Sequence, residues 1–399
     1  GNVNCGGDCV NTYFAGNAVT LVAAAAPGSS FAGWSGGGCA GVGPRHRTAG
    51  KHHPSAVIDN PPAGCDASPA MPLRANLQKL VERARQLPPL PAAVVYPCDV
   101  DSLQLALAGA FAGYLAPTLV GPDARIRDTA MRAGLDISRL PIVDTADDSA
   151  AAAVRAAHLA RDGRVEALVK GMLSDGALLT PVAAPENGLR TDSRLSHATL
   201  LDVPGHAQPL IVADDRLNVA PTLAAKRDVL LNTIALAVSL GIARPAVALL
   251  AAVDGPSAAF ASTADATALK AMAAGGAMHG ARVDGPMTPD VALSPEAARL
   301  QGAPSEVAGR ADVLVAPTME CAVMVVRTLV AVTGALTAGL VLGARVPIVA
   351  TARNETMESR IASCVLACVA ARAARGRGPL DATTAGGAPA REAATRVAA

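Results

Sequence analysis

From Asn76 onward the chain repeats one pattern: a short apolar run, a turn of Pro, Gly or Asp, then a stretch with helical spacing. Helical spacing over residues 77–87 stops at Pro88-Pro89-Leu90-Pro91, because proline lacks the N–H that a helix interior uses. Residues 92–96 form a buried-strand run, and Pro97-Cys98-Asp99 turns into a helix over 102–113. Strands at 117–120, 142–143 and 167–169 then alternate with helices at 123–134 and 149–162. Later strands are expected at 210–212, 246–250, 313–315, 340–342 and 347–350, with helices at 224–240, 264–274 and 355–375. Strands separated by helices need crossover connections, which predicts an α/β fold with a parallel, doubly wound sheet.

The core of such a sheet has to be built from small side chains here. Hydrophobic residues make up 51% of the chain but aromatics only 2%, so Ala, Val and Leu must do the packing, as they do where helices lie on a mostly parallel sheet. A formal net charge of +1 without a long basic run argues against nucleic acid or a membrane surface as partner. The apolar stretches 229–253 and 321–350 are interrupted by Asn232, Arg244 and Pro245, and by Arg327, Arg345 and Pro347. Both therefore read as core and not as membrane spans.

Of the eight cysteines, Cys98, Cys321, Cys364 and Cys368 lie in Ala/Val surroundings and read as buried small hydrophobes. They lack ligand-spaced partners, so no metal site is expected, and the body reads as cytoplasmic. Cys5, Cys9, Cys39 and Cys65 cluster before residue 70. Residues 1–43, with Tyr13, Val19-Thr20-Leu21 and the turn Phe31-Ala32-Gly33-Trp34-Ser35-Gly36, resemble one unit of a bacterial extracellular β-repeat. The alternative is a glycine-rich disordered leader. Residues 44–75, with His46, His52 and His53 among Pro, Arg and Gly, read as linker, and 376–399 as a disordered tail. A start at Gly1 and not at methionine suggests a fragment or a processed product.

The region 166–205 carries the chemistry. An apolar run ends in Lys170-Gly171, and a basic, hydroxylic cluster follows in Arg190-Thr191-Asp192-Ser193-Arg194-Leu195-Ser196-His197. A strand end of this kind suits an anion-binding crevice at the carboxyl edge of an open sheet. Further motifs are Leu87-Pro88-Pro89-Leu90-Pro91, Asp202-Val203-Pro204-Gly205, Asn218-Val219-Ala220-Pro221 and Lys226-Arg227-Asp228. Val283-Asp284-Gly285-Pro286, Ser305-Glu306-Val307-Ala308-Gly309, Ala311-Asp312 and Gly343-Ala344-Arg345-Val346-Pro347-Ile348 continue in order. With these motifs, residues 78–372 resemble the phosphate acetyl/butyryltransferase family. They resemble especially the form found as the C-terminal half of bifunctional enoyl-CoA hydratase/phosphate acetyltransferases.

That resemblance implies acyl transfer between coenzyme A and inorganic phosphate, with coenzyme A as a substrate and no permanently bound cofactor. It implies two α/β domains similar to the isocitrate/isopropylmalate dehydrogenase fold. The first would be discontinuous, 76–215 plus 339–375, and the second would span 216–338 and form a homodimer. The loop that reads Ser-Arg in the family is Thr351-Ala352-Arg353 here, making Arg353 and Thr351 the catalytic candidates. The acidic partner expected further on falls at Ser359, with Glu355 and Glu358 nearby. Lys170, Arg190, Thr191, Ser196, His197 and Asn218 are candidates for binding phosphate or coenzyme A. So are Asp284, Ser305, Asp312, Glu320 and Arg345. Ser305 opens a small-residue turn whose N–H groups could face an anion. His197, Asp284 and Asp312 have equally good structural readings, as satisfied structural or element-end groups, and Arg345 could pair with an acidic side chain at the domain seam.

Several positions depart from the family pattern. Ser174-Asp175-Gly176 stands where His-Thr-Asp is usual, Thr180 where an arginine is, Val323 where an asparagine is, and Asp254 where a glutamate is. Together with Ala352 these changes predict a weakened site. The alternatives are an impaired homologue that only binds coenzyme A or phosphate, and a surface-attached binding module, suggested by residues 1–43 alone.

Overall fold

Side-chain caps and prolines set the element boundaries in the computed structural model, which describes residues 75–376 apart from 279, 303–304 and 353–354. The expected leader (1–43), the linker up to residue 74, the tail from 377 and Arg353 lie outside the described residues. The first half runs α1 (Ala75–Arg85), β1 (Leu90–Val95), α2 (Val100–Phe111), β2 (Leu115–Gly121), α3 (Asp123–Ala133), β3 (Ile142–Asp144), α4 (Ser149–Arg161), β4 (Ala167–Lys170) and α5 (Asp175–Ala183). Then follow β5 (Ser196–Asp202), β6 (Leu210–Ala213), α6 (Leu223–Ser239), β7 (Ala246–Leu250), α7 (Ala261–Ala274) and β8 (Arg282–Met287). The rest is α8 (Pro289–Leu293), α9 (Pro295–Leu300), β9 (Val313–Val315), α10 (Met319–Thr333), β10 (Leu336–Leu342), β11 (Ile348–Val349) and α11 (Met357–Gly376).

Local chemistry explains the starts and stops. Asp99 accepts the Ser102 N–H at 2.7 Å to open α2, Asp148 caps α4, and Thr222 and Thr318 cap α6 and α10. Each satisfies an N–H that a first helical turn leaves unpaired. The scarcity of aromatics lets helices sit close to the sheet. Ala152, Ala153, Ala156 and Ala157 of α4 are fully buried against strands whose own Ala92 and Ala93 are fully buried.

The strands form one sheet in the order β3-β2-β1-β4-β11-β10-β5-β6-β9-β7-β8. The mixed α/β architecture follows the alternation in the sequence, but the sheet is not wholly parallel as expected. Among the described residues seven strand pairs are parallel, and β10–β11, β10–β5 and β5–β6 are antiparallel. The reason lies in the connections. Residues 203–209 and 343–347 join β5 to β6 and β10 to β11. Links this short can close a hairpin but cannot make a parallel crossover, which takes a dozen residues or more.

A second core cluster joins Leu210 and Val212 of β6 and Leu314 of β9 to Val291, Val307 and Val326. Cys98, Cys364 and Cys368 are buried as expected, and burial pushes the Cys98 thiol up to about 11. Cys321 is a correction: it is exposed. It begins the outward stripe of α10, where Met324, one turn on, is 67% exposed. Among the described residues no helix is long and apolar enough to cross a membrane.

One glycine is required by the β1–β4 junction. A Cβ on Gly171 would lie 2.4 Å from the Val95 carbonyl oxygen and 2.7 Å from that of Tyr96. Both are backbone atoms that cannot swing away. Gly171→Ala is expected to lower stability by about 2–3 kcal/mol and to disturb Lys170 beside it. A thermal-unfolding midpoint equal to that of the wild type would refute this.

Candidate functional site

The last residue of β4 and the turn after β11 lie side by side, because β4 and β11 are adjacent and parallel. Lys170 ends β4, and its ammonium, with the side chain only 10% exposed, pairs with Asp175 in the first turn of α5. Arg216, from the loop after β6, lies 3.8 Å from the other Asp175 oxygen. One of its guanidinium nitrogens donates to the carbonyl of Ala350, just past β11. The other donates to Glu355 at 2.8 Å, and the same Glu355 oxygen accepts the Ala352 N–H at 2.7 Å. Thr351 is buried beside this network. Two cations therefore converge on one carboxylate at the carboxyl ends of two parallel strands. A carboxylate held between an ammonium and a guanidinium marks a place where two oxygens of an anion can be received.

Arg216 owes its position to a buried pair behind it. His197 and Thr199 point to one face of β5, and both meet Asp215: His197 Nδ1 at 2.6 Å and the Thr199 hydroxyl at 2.9 Å. The His197 ring packs onto Gly339 of β10, where a Cβ would come within 2.8 Å of ring atoms. Asp214 accepts the N–H groups of Arg216 and Leu217, each at 3.0 Å. The Asn218 amide then ties Asp214, at 2.6 Å, to the Leu195 carbonyl, at 3.0 Å. His197 and Asn218 are thus braces for the loop that presents Arg216.

Burial alone would push the Asp215 carboxyl up, but His197, the Thr199 hydroxyl and Arg216 outweigh it and hold it below the usual range. The sign of the pH effect follows. A folded-state value below the unfolded one, about 3.9, gives stability that is full above about pH 4 and is lost as pH falls through the folded value. Asp215→Asn is expected to cost about 1.5–3 kcal/mol at pH 7 and to flatten the acid limb of thermal unfolding below about pH 4. An unchanged acid limb would exclude this role.

Other predicted residues are placed elsewhere. Because β10 is antiparallel to β11, the turn between them lies at the end of β11 away from Thr351. That turn carries Arg345 and bridges through Ala344 to Arg190, and both arginines are exposed. They do not join Lys170. Thr191 donates to the Gly343 carbonyl at 2.6 Å, and Ser196 accepts from Asn232 at 2.9 Å, so both fasten this edge. Asp284, on β8, pairs with Lys270 at 2.5 Å. Burial opposes its charge, but Lys270, the Ser305 hydroxyl and the Gly285 N–H keep it below the usual range. Ser305 also accepts the N–H groups of Val307 and Ala308 at 3.0 and 3.1 Å. This group lies six strands from β11, roughly 29 Å along a flat sheet. Asp312 holds the Ala246 N–H at 2.8 Å, at the start of β7. Glu320 is exposed on the first turn of α10.

Among the departures, Ser174 caps α5 through the Ala177 N–H at 3.1 Å, Thr180 is exposed and Val323 half-buried. Asp254 accepts the Thr288 N–H at 2.7 Å. Ser359 bonds to Thr337 at 3.1 Å, so Glu355 is the acid that reaches the network. Sequence reasoning did not single out Arg216, Asp215 or Asp175 as site residues. A signal for the first two existed: Asp214-Asp215-Arg216 follows the wholly apolar Leu210–Ala213, a charged run placed at a strand's carboxyl end.

The chain matches the family described as Phosphate acetyl/butaryl transferase over residues 145–368. It belongs to that family. A phosphate acetyltransferase of Rhizobium meliloti is 44% identical over 75% of this chain and 94% of its own length. A phosphate butyryltransferase of Clostridium beijerinckii is 31% identical over 74% of this chain and 98% of its own. The crystal structure of a branched-chain phosphotransacylase from Enterococcus faecalis V583 superposes with a TM-score of 0.63 at 25% identity, covering 71% of this chain and 99% of that one. The matched span includes Lys170, Asp175, Arg216 and Glu355, so the whole ionic network lies within it.

Proposed function

We propose that this chain moves a short acyl group, acetyl or butyryl, between coenzyme A and inorganic phosphate. The observation that carries the reading is the convergence of Lys170 and Arg216 on one carboxylate beside Thr351. In the reaction the coenzyme A sulfur, as thiolate, bonds to the acyl carbon of an acyl phosphate. The carbonyl becomes an oxyanion and re-forms as the C–O bond to phosphate breaks and its electron pair leaves with the phosphate; the thiol gives its proton to solvent and the departing phosphate takes one up, so it leaves as the dianion. Lys170 and Arg216 stabilise the leaving dianion, a task suited to a planar guanidinium fork and a point charge together. Arg353 and Thr351 act at the acyl carbon, as the family resemblance implies.

Within the same reading the site is weakened, since Ala352 offers no side-chain donor where the family carries serine. The proposed architecture is the two-domain one, with residues 76–215 plus 339–375 against 216–338, in a cytoplasmic homodimer. An exchange assay with acetyl phosphate or butyryl phosphate and coenzyme A, following thioester formation, tests the proposal, and measurable turnover is expected. A second reading, a homologue that binds without turning over, is favoured by Ala352 alone. It wins if coenzyme A binds and no thioester forms.

A further inference from the structure

The carboxylate that Lys170 and Arg216 share is not an ordinary structural partner. Among the described residues the Asp175 carboxylate meets only those two cations. Glu355, by contrast, is built into its turn through the Ala352 N–H at 2.7 Å. The α5 helix does not depend on Asp175 for its start, because Ser174 supplies the cap. The Asp175 side chain is 33% exposed, whereas that of Lys170 is 10% exposed and that of Arg216 18%. The cations are therefore sheltered, while the carboxylate between them reaches solvent at the start of a helix. Its two oxygens divide between an ammonium and a guanidinium as two oxygens of a phosphate would. With Asp175 and Glu355 ionised, the described part of the network is electrically neutral, so a dianion gains little there until a carboxylate leaves.

We propose that Asp175 is a resident competitor for the phosphate seat: phosphate or an acyl phosphate binds only as Asp175 swings away from Lys170 and Arg216. This rests on the acyl-transfer reading above and adds a determinant of phosphate affinity to it. A carboxylate that stays within a few ångströms of an incoming dianion opposes it by Coulomb repulsion, and one that leaves must give up its own two ion pairs. Either route weakens phosphate binding.

The test titrates the full chain and its Asp175→Asn variant with inorganic phosphate by calorimetry, with thermal unfolding as the fold control. Asp175→Asn is expected to bind phosphate about tenfold more tightly, with a parallel fall in KM for acyl phosphate. Asp175→Ser serves if the asparagine variant melts early. Equal or weaker phosphate binding by a folded variant overturns the proposal and makes Asp175 a residue that positions Lys170. A wild type that binds no phosphate and shows no exchange overturns the acyl-transfer reading, and this inference with it.

Discussion

Arg216→Met is expected to lower kcat/KM for acyl phosphate by about 10³-fold, the upper range for removing one positioned donor at a reacting centre. Methionine keeps much of the side chain's length and its apolar stem, so the loss isolates the guanidinium. Three groups are stranded at once: the Ala350 carbonyl, Glu355 and one oxygen of Asp175. Leaving partly buried acids without their cation is expected to cost about 2–3 kcal/mol of stability, below the 3–5 kcal/mol of fully buried pairs. Arg216→Lys keeps the charge but cannot span the three acceptors, because an ammonium is a point donor and not a fork. It should recover stability more than rate. Steady-state kinetics and thermal unfolding of both variants check this, and wild-type kcat/KM in Arg216→Met would remove Arg216 from the site.

Ala352→Ser is expected to raise kcat on the order of 10²-fold, the inverse of what losing such a donor costs. The backbone does not compensate for the missing hydroxyl, since the Ala352 N–H is already committed to Glu355 at 2.7 Å. A serine there adds a donor beside the buried Thr351 without taking one from the turn. Ala352→Val, which adds bulk without a donor, is the control and should show no gain. If serine and valine behave alike, position 352 contributes no hydrogen bond and the proposed weakening does not arise there.

These two expectations rest on different kinds of legibility. Ala352 was visible in the sequence, because the loop Thr351-Ala352-Arg353 stands beside recognisable scaffold motifs. Arg216 was not. Its partner Glu355 is 139 residues away, and no local pattern announces a pairing across that distance. Lys170 was legible as a strand-end cation, but its neutralisation by Asp175 was not. The hydroxyls of Thr191 and Ser196 looked like ligand groups, and in the structure they bond within an edge of the sheet. A serine or threonine in a loop presents the same pattern whether it faces a ligand or a carbonyl.

The sequence by itself determined the family, the order of most strands and helices, and the small-residue core. Each of these is written in short-range periodicity, in capping residues and in motifs a few residues long. Only the tertiary structure decided that β5 and β10 enter the sheet's interior as antiparallel strands, that Arg190 and Arg345 lie at the edge away from Lys170, and that Arg216 completes the cationic pair. Those outcomes depend on which strands lie side by side. Strand adjacency is set by packing and connection length over the whole chain, and hydrogen bonds between distant segments leave no mark on the residues next to them in sequence.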